Sequence, residues 1–277
     1  MDCAKIMPMN STAHRYPANF PQDFEEGAEG SNRSVQPPVL RARRLSFSAG
    51  NGAARTRILR GIDVDFPRNQ WTSIMGPSGS GKTSLLHCLS GLAEANGGSI
   101  ELAATDGSTV DITSLGEGAR AKLRTTEISI VFQDFNLVPV LSVEDNIRLP
   151  RRLSGSRSRR RGRDMGVSDA ELFNLITSNL GIDGLLKRLP NQLSGGQRQR
   201  VAIARSLFTR PAVILADEPT GSLDSETGQA VLELFRRVVD EFNQTLIMVT
   251  HDERAARHGD TIVHMKDGRI VGIQAVR

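Results

Sequence analysis

Eight consecutive residues, Gly76-Pro77-Ser78-Gly79-Ser80-Gly81-Lys82-Thr83, hold the densest chemistry in the chain, and Ser84 follows at once. Glycines let backbone N–H groups curl round phosphate oxygens, and a helix that begins there adds partial positive charge. In that pattern Lys82 reaches the outer phosphates of a nucleotide, and the Thr83 hydroxyl can ligate Mg2+. Asp217 and Glu218 stand side by side after an apolar run. One acid there can hold the Mg2+ shell, and its neighbour can polarise a water for attack on the terminal phosphate. Alone, such a pair is as readily two solvated acids at a strand end; beside a phosphate loop the chemical reading prevails. Leu193-Ser194-Gly195-Gly196-Gln197 heads another helix. Ser194 suits its N-cap, and the small residues after it expose N–H groups to an anion. Gln133 and His251 close two further apolar runs. A histidine at a strand end is more often a surface or core residue, and His14, His87, His258 and His264 are read that way. His251 is singled out because its strand belongs to the same inferred sheet edge.

These groups need a scaffold that brings strand ends together. Four short, nearly continuous apolar runs supply it: Trp71–Met75, Ile128–Phe132, Ala212–Ala216 and Leu246–Val249. Runs of that kind are strands covered on both faces, as in a parallel sheet. Between them lie helical stripes, Leu85, Leu86, Leu89 and Leu92 in one, Val231, Leu232, Leu234, Phe235 and Val238 in another. Alternating strands and helices predict an α/β domain with a mostly parallel sheet flanked by helices. Ligands in such sheets bind beyond the carboxyl ends of the strands, where the polar residues above fall. Ahead of this region Ile62, Val64 and Phe66 alternate with Asp63 and Asp65, and Gly50-Asn51-Gly52 supplies a turn. That pattern predicts a small antiparallel β subdomain. Lys266-Asp267-Gly268 reads as a turn between Thr261–Met265 and Arg269–Ile273.

Composition limits the remaining choices. The chain has 277 residues, 38% hydrophobic and 24% charged, enough for an ordinary core. No apolar run approaches the roughly 20 residues of a membrane span, and no apolar segment follows the first residues as a secretory leader would require. Two cysteines cannot build a disulfide framework, and no Cys/His spacing suggests zinc. A net charge of +4 is too small to argue for a nucleic-acid partner. Residues 1–38 mix Pro, Asn, Ser, Gly and acids without apolar period and read as a disordered tail. The folded domain is expected over 39–277.

With these motifs in order, the chain resembles the ATP-binding subunits of ABC transporters over about residues 39–277. Gly76–Thr83 is similar to the Walker A loop, and Val213–Asp217 with Glu218 to Walker B and its catalytic glutamate. Gln133 matches the Q-loop glutamine, Leu193–Gln197 the ABC signature, Gly221-Ser222-Leu223-Asp224 the D-loop and His251 the switch histidine. The segments from Val131 to Pro139, from Glu144 to Pro150 and from Ala216 to Asp224 resemble the MacB/LolD/FtsE-like group. The resemblance implies a P-loop NTPase-type fold with a helical subdomain at about 134–192. It implies catalytic roles for Glu218, His251 and Gln133, and ATP held by Gly76–Ser84, by Ser194–Gln197 and by Asp224. Mg2+ would sit on Thr83, Gln133 and Asp217. It further implies a dimer with two ATP molecules sandwiched between copies, and an integral-membrane permease as partner, the chain sitting peripherally at the cytoplasmic face. An ATPase that signals across the membrane without transport, as in the FtsE kind, is the alternative. Repair-type relatives carry a long coiled coil and translation-type relatives two cassettes, and neither is present.

The chain departs from the family pattern in three places. Ala49 stands before Gly50, where the family usually places an aromatic that stacks on adenine. Phe47 is the aromatic that stands two residues earlier. The second departure is the long N-terminal stretch. The third is Arg151–Arg163, with seven arginines and no acid. It is expected as a solvated, mobile loop, with contact to anionic lipid as the sharper reading.

Overall fold

A computed structural model of the chain describes residues 37–50, 55–154, 168–221 and 223–277. The expected tail, the turn beyond Gly50 and the arginines from Arg157 to Arg163 lie outside the described residues.

Among the described residues, ten strands form two sheets. The first holds β1 (Leu40–Ala49), β2 (Thr56–Phe66), β4 (Gly97–Ala103) and β5 (Thr109–Asp111), antiparallel in the order β2-β1-β4-β5. Alternation decides its faces: Ile62, Val64 and Phe66 are buried and Asp63 and Asp65 exposed. The second sheet contains β3 (Trp71–Met75), β6 (Ile128–Val131), β7 (Val213–Asp217), β8 (Leu246–Thr250), β9 (Thr261–Lys266) and β10 (Arg269–Ala275) in the order β10-β9-β3-β8-β7-β6. Four of its five pairings are parallel and join β9, β3, β8, β7 and β6, while β10 runs antiparallel on β9 as an outer strand. All four apolar runs therefore enter one sheet as parallel neighbours. The Asp267-Gly268 turn joins β9 to β10, with both residues at positive φ.

The runs are buried on both faces because two cores sandwich them. Ile214 and Ala216 of β7 and Leu246 and Met248 of β8 point into one core. It is closed by α3 (Val143–Ser154), α4 (Asp169–Asn179), α5 (Gly195–Phe208) and α6 (Ser225–Phe242). Val213, Leu215, Ile247 and Val249 point into the other, shared with α1 (Lys82–Leu89) and the antiparallel sheet. Two further α-helices among the described residues are α2 (Glu117–Thr126) and α7 (Glu253–Ala256).

Two expectations are corrected. Leu92 does not extend the α1 stripe: the helix stops at Leu89, Gly91 turns the chain at φ 67°, and Leu92 is 43% exposed. Helical spacing carried past a stop that the glycine imposes. Nor does Arg151 belong to a solvated loop or a lipid-facing segment. It lies in α3, buried, hydrogen-bonded to Asp169 and set over the Phe208 ring at 5.1 Å. Arg152 pairs with Asp145 at 2.9 Å. An acid 18 residues away in sequence absorbed a charge that local composition left unpaired.

Candidate functional site

The phosphate loop hangs between β3 and α1, and its shape is set by close backbone packing. A Cβ on Gly76 would stand 2.2 Å from the Met265 carbonyl oxygen, so only glycine fits beside β9. Gly79 and Gly81 take φ of 78° and 98°, a region that costs other residues about 1–2 kcal/mol. Gly81 heads α1 with no side-chain cap, and no acid occupies the first turn. The helix start is thereby left to an anion. Lys82 is buried and donates to the Gly76 and Pro77 carbonyls at 2.9 and 3.1 Å, its ammonium folded over the loop. The Ser80 hydroxyl is buried and has no protein partner. A buried polar atom of this kind calls for a ligand or water, which suits a loop built round phosphate.

Next to the loop, Thr83 Oγ1 donates to Asp217 Oδ1 at 3.1 Å, joining α1 to the end of β7. Burial raises the Asp217 pKa above the ordinary carboxylate value, while the Thr83 bond and the nearby His87 pull the other way. A desolvated carboxylate beside a hydroxyl is a hard oxygen site, and a cation there favours the ionised form. Among the described residues no group of three or more His, Cys, Asp and Glu side chains could hold a metal by itself. Thr83 and Asp217 thus fit Mg2+, which keeps water and phosphate oxygens among its ligands. His87, one turn beyond Thr83 on α1, was read as an ordinary histidine. Its i,i+4 relation to Thr83 was the signal that it shares this face.

Glu218 follows with φ 43°, an uncommon conformation for a residue with a Cβ. That twist at the end of β7 sends its carboxylate sideways toward β8. His251 Nδ1, just past β8, lies 3.2 Å from Glu218 Oε2. Gln133, exposed beyond β6, turns to the same corner. Glu218 Oε2 and Gln133 Nε2 lie 3.5 and 3.6 Å from where a Gly221 side chain would begin. The ends of β6, β7 and β8 therefore converge with the phosphate loop, as the sheet order requires.

The Ser194 stretch is placed differently. Ser194 caps α5 in a capping box: its hydroxyl accepts from Gln197 N at 3.3 Å, and Gln197 Oε1 accepts from Ser194 N at 3.0 Å. A Cβ on Gly196 would sit 2.5 Å from Thr227 Cγ2, so α5 begins tight against α6. Asp224 caps α6, accepting from the Thr227 amide at 2.9 Å and its hydroxyl at 2.8 Å. Those bonds hold the Asp224 carboxyl below its ordinary pKa. Among the described residues no hydrogen bond or ion pair links Ser194–Gln197 or Asp224 to residues 76–84. The expected site residues thus fall into two groups. Where the resemblance would place adenine, Ala49 is exposed, whereas Phe47 pairs across the sheet with buried Leu59 and packs on the core.

The ABC transporter family matches residues 59–221. The macrolide export ATP-binding/permease protein MacB of Rhodopirellula baltica is 42% identical over 77% of this chain, which spans 30% of that relative's length. The lipoprotein-releasing system ATP-binding protein LolD of Legionella pneumophila is 36% identical over 84% of this chain and 96% of its own. Among solved structures, a dimeric post-hydrolysis state of the ATP-binding cassette MJ0796 of Methanocaldococcus jannaschii, bound to ADP and Pi, is 31% identical. It covers 86% of this chain and 99% of that one, with a TM-score of 0.71.

Proposed function

The chain belongs to the ABC transporter family, and from that premise we propose that it is the ATP-hydrolysing subunit of a transporter, working as a dimer that closes on ATP. One observation carries the reading. The Ser194 stretch packs on Thr227 of α6 in its own chain, with no bond to its own phosphate loop, and its capping box uses the Ser194 and Gln197 N–H groups, which leaves those of Gly195 and Gly196 to meet a second copy's nucleotide. Gly76–Ser84 hold the phosphates of one ATP. Thr83, Asp217 and Gln133 would hold Mg2+, which when bound would supply positive charge against the developing phosphate charge. Glu218 takes the proton of the attacking water, steadied by His251. Ser194–Gln197 and Asp224 of the other copy close the site.

No helix among the described residues is long and apolar enough to cross a membrane. A cassette of this kind acts through a separate permease, which holds it at the cytoplasmic face of the membrane. The relatives' names, macrolide export and lipoprotein release, describe those proteins. Transport and FtsE-like signalling would use the same ATP cycle, and the co-purified membrane partner separates them.

The test is Glu218→Gln, which keeps shape and removes the base. ATP hydrolysis is expected to fall by ~10²–10⁴-fold, and gel filtration with ATP to give a dimer that reverts to monomer without nucleotide. An ATP-bound variant that stays monomeric overturns the sandwich.

A further inference from the structure

We propose that Arg205 is a positioning residue that splints the Gln133 turn to the signature helix α5, so that Gln133 and Ser194 move as one body. The inference rests on the sandwich reading above and deepens it.

The chain after Gln133 folds through two consecutive non-glycine residues at positive φ, Phe135 at 64° and Asn136 at 43°. Their own backbone offers little support: Phe135 N bonds Phe132 O at 3.0 Å, and Asn136 N bonds Asp134 O at 2.7 Å. Both carbonyls of the strained pair are taken by one side chain. Arg205 Nη1 donates to Asn136 O at 2.7 Å and Nη2 to Phe135 O at 2.9 Å. Among the described residues no carboxylate pairs with this guanidinium, although burial depresses its pKa. A planar fork suits two adjacent carbonyls, and an ammonium would reach only one. Seven residues earlier on the same helix face, Arg198 lies 5.6 Å from the centre of the buried Phe135 ring. Arg198 also donates to the Leu193 carbonyl at 2.9 Å, immediately before Ser194. Helix α5 thus holds the Gln133 turn at one end and the signature loop at the other. A displacement of Gln133 toward bound nucleotide is carried along a rigid helix to the surface that meets the second copy.

The experiment uses the full chain carrying Glu218→Gln, with ATP and Mg2+. Monomer affinity is read with a fluorescent ATP analogue at protein concentrations below dimerisation, and dimerisation by gel filtration across an ATP series. Adding Arg205→Ala is expected to leave monomer affinity within about twofold while the ATP needed for half-dimerisation rises about tenfold, within the usual range of coupling between sites. Arg205→Lys, which keeps charge and bulk and reaches one carbonyl, shows a smaller rise and carries the test if the alanine variant does not fold. Adding Asn136→Gly to Arg205→Ala leaves the loss in place, because glycine takes positive φ without strain but does not tie the turn to α5, and recovery in that variant overturns the splint. General destabilisation would lower monomer affinity in step with dimerisation. Either that parallel loss or unchanged dimerisation in both Arg205 variants overturns the splint. A Glu218→Gln parent that stays monomeric in ATP removes the sandwich reading, and the splint with it.

Discussion

The phosphate-loop half and the signature half of the molecule are built on opposite terms. Around Gly76–Thr83 the functional groups hold one another: Lys82 on loop carbonyls, Thr83 on Asp217, His251 on Glu218. They sit at four strand ends of one sheet, fixed by cores on both faces. Around Ser194 the helix is tied backward, to Thr227 and the Gln133 turn, and at its start the Gly195 and Gly196 N–H groups have no partner among the described residues. On the proposed sandwich, the first half is finished within one chain and the second by another copy. Binding and turnover are therefore separable by mutation.

The sharpest way to break this contrast is to mix lesions. Lys82→Ala damages the first half and Ser194→Arg the second, and each is expected to be inactive alone. In a mixed head-to-tail dimer one site carries both lesions and the other none. Random pairing then recovers up to roughly a quarter of wild-type sites by twofold symmetry. Ser194→Arg alone should still bind ATP as a monomer. No recovery, together with a lost monomer affinity in Ser194→Arg, would place both halves in the same site.

A smaller effect sharpens the first half. If the base lies over position 49, as the resemblance implies, it meets no ring there, since Ala49 has none and Phe47 packs on the core. Ala49→Tyr is expected to tighten ATP binding about tenfold, an increment of ~1.4 kcal/mol, measured by nucleotide titration. Equal affinity would show that adenine does not rest over position 49. Phe47→Ala abolishing binding would move the base to Phe47 instead.

The smallest effect concerns Asp217. Burial raises its pKa in the folded chain, so between the ordinary value and the raised one the folded state binds more protons than the unfolded. Its contribution to stability therefore falls as pH rises through that window, and the penalty persists at neutral pH. Asp217→Asn should melt higher at pH 7 without nucleotide, and the gain should vanish below the ordinary carboxylate range. Screening of a part-exposed group keeps it small, within about the 2–4 °C that 1 kcal/mol gives a chain this size. A lower Tm at pH 7 would mean the carboxylate is held by attraction, and that the loop half has no waiting cation seat.

The sequence made the phosphate-loop half legible because its chemistry is written locally. Glycine spacing, a strand before and a helix after locate Lys82 and Thr83, and continuous apolar runs predict the parallel sheet that gathers Asp217, Gln133 and His251. The strand limits shift by a residue, as with β6 ending at Val131. What stayed hidden depends on partners distant in sequence. Arg205 reads as one more basic residue of an amphipathic helix until its carbonyls, 69 and 70 positions away, are known. Arg151 reads as part of a basic run until Asp169 meets it. The positive φ of Glu218 has no residue-type signal, whereas Asn136 carries a faint one, since Asn tolerates that region.

The outer strand β10 bears on how the protein behaves when concentrated. Val271 and Ile273 are 61% and 54% exposed on a strand with one unpaired flank, the arrangement that lets a second strand add on and seed precipitation. The register shift between Ile270 and Gly272 interrupts the ladder at the middle of that strand. A bulge twists an edge away from regular pairing, and Arg269 puts a charge at its start. Deleting one residue to straighten β10, or neutralising Arg269, would therefore turn a guarded edge into a sticky one and lower solubility with no change at the ATP site.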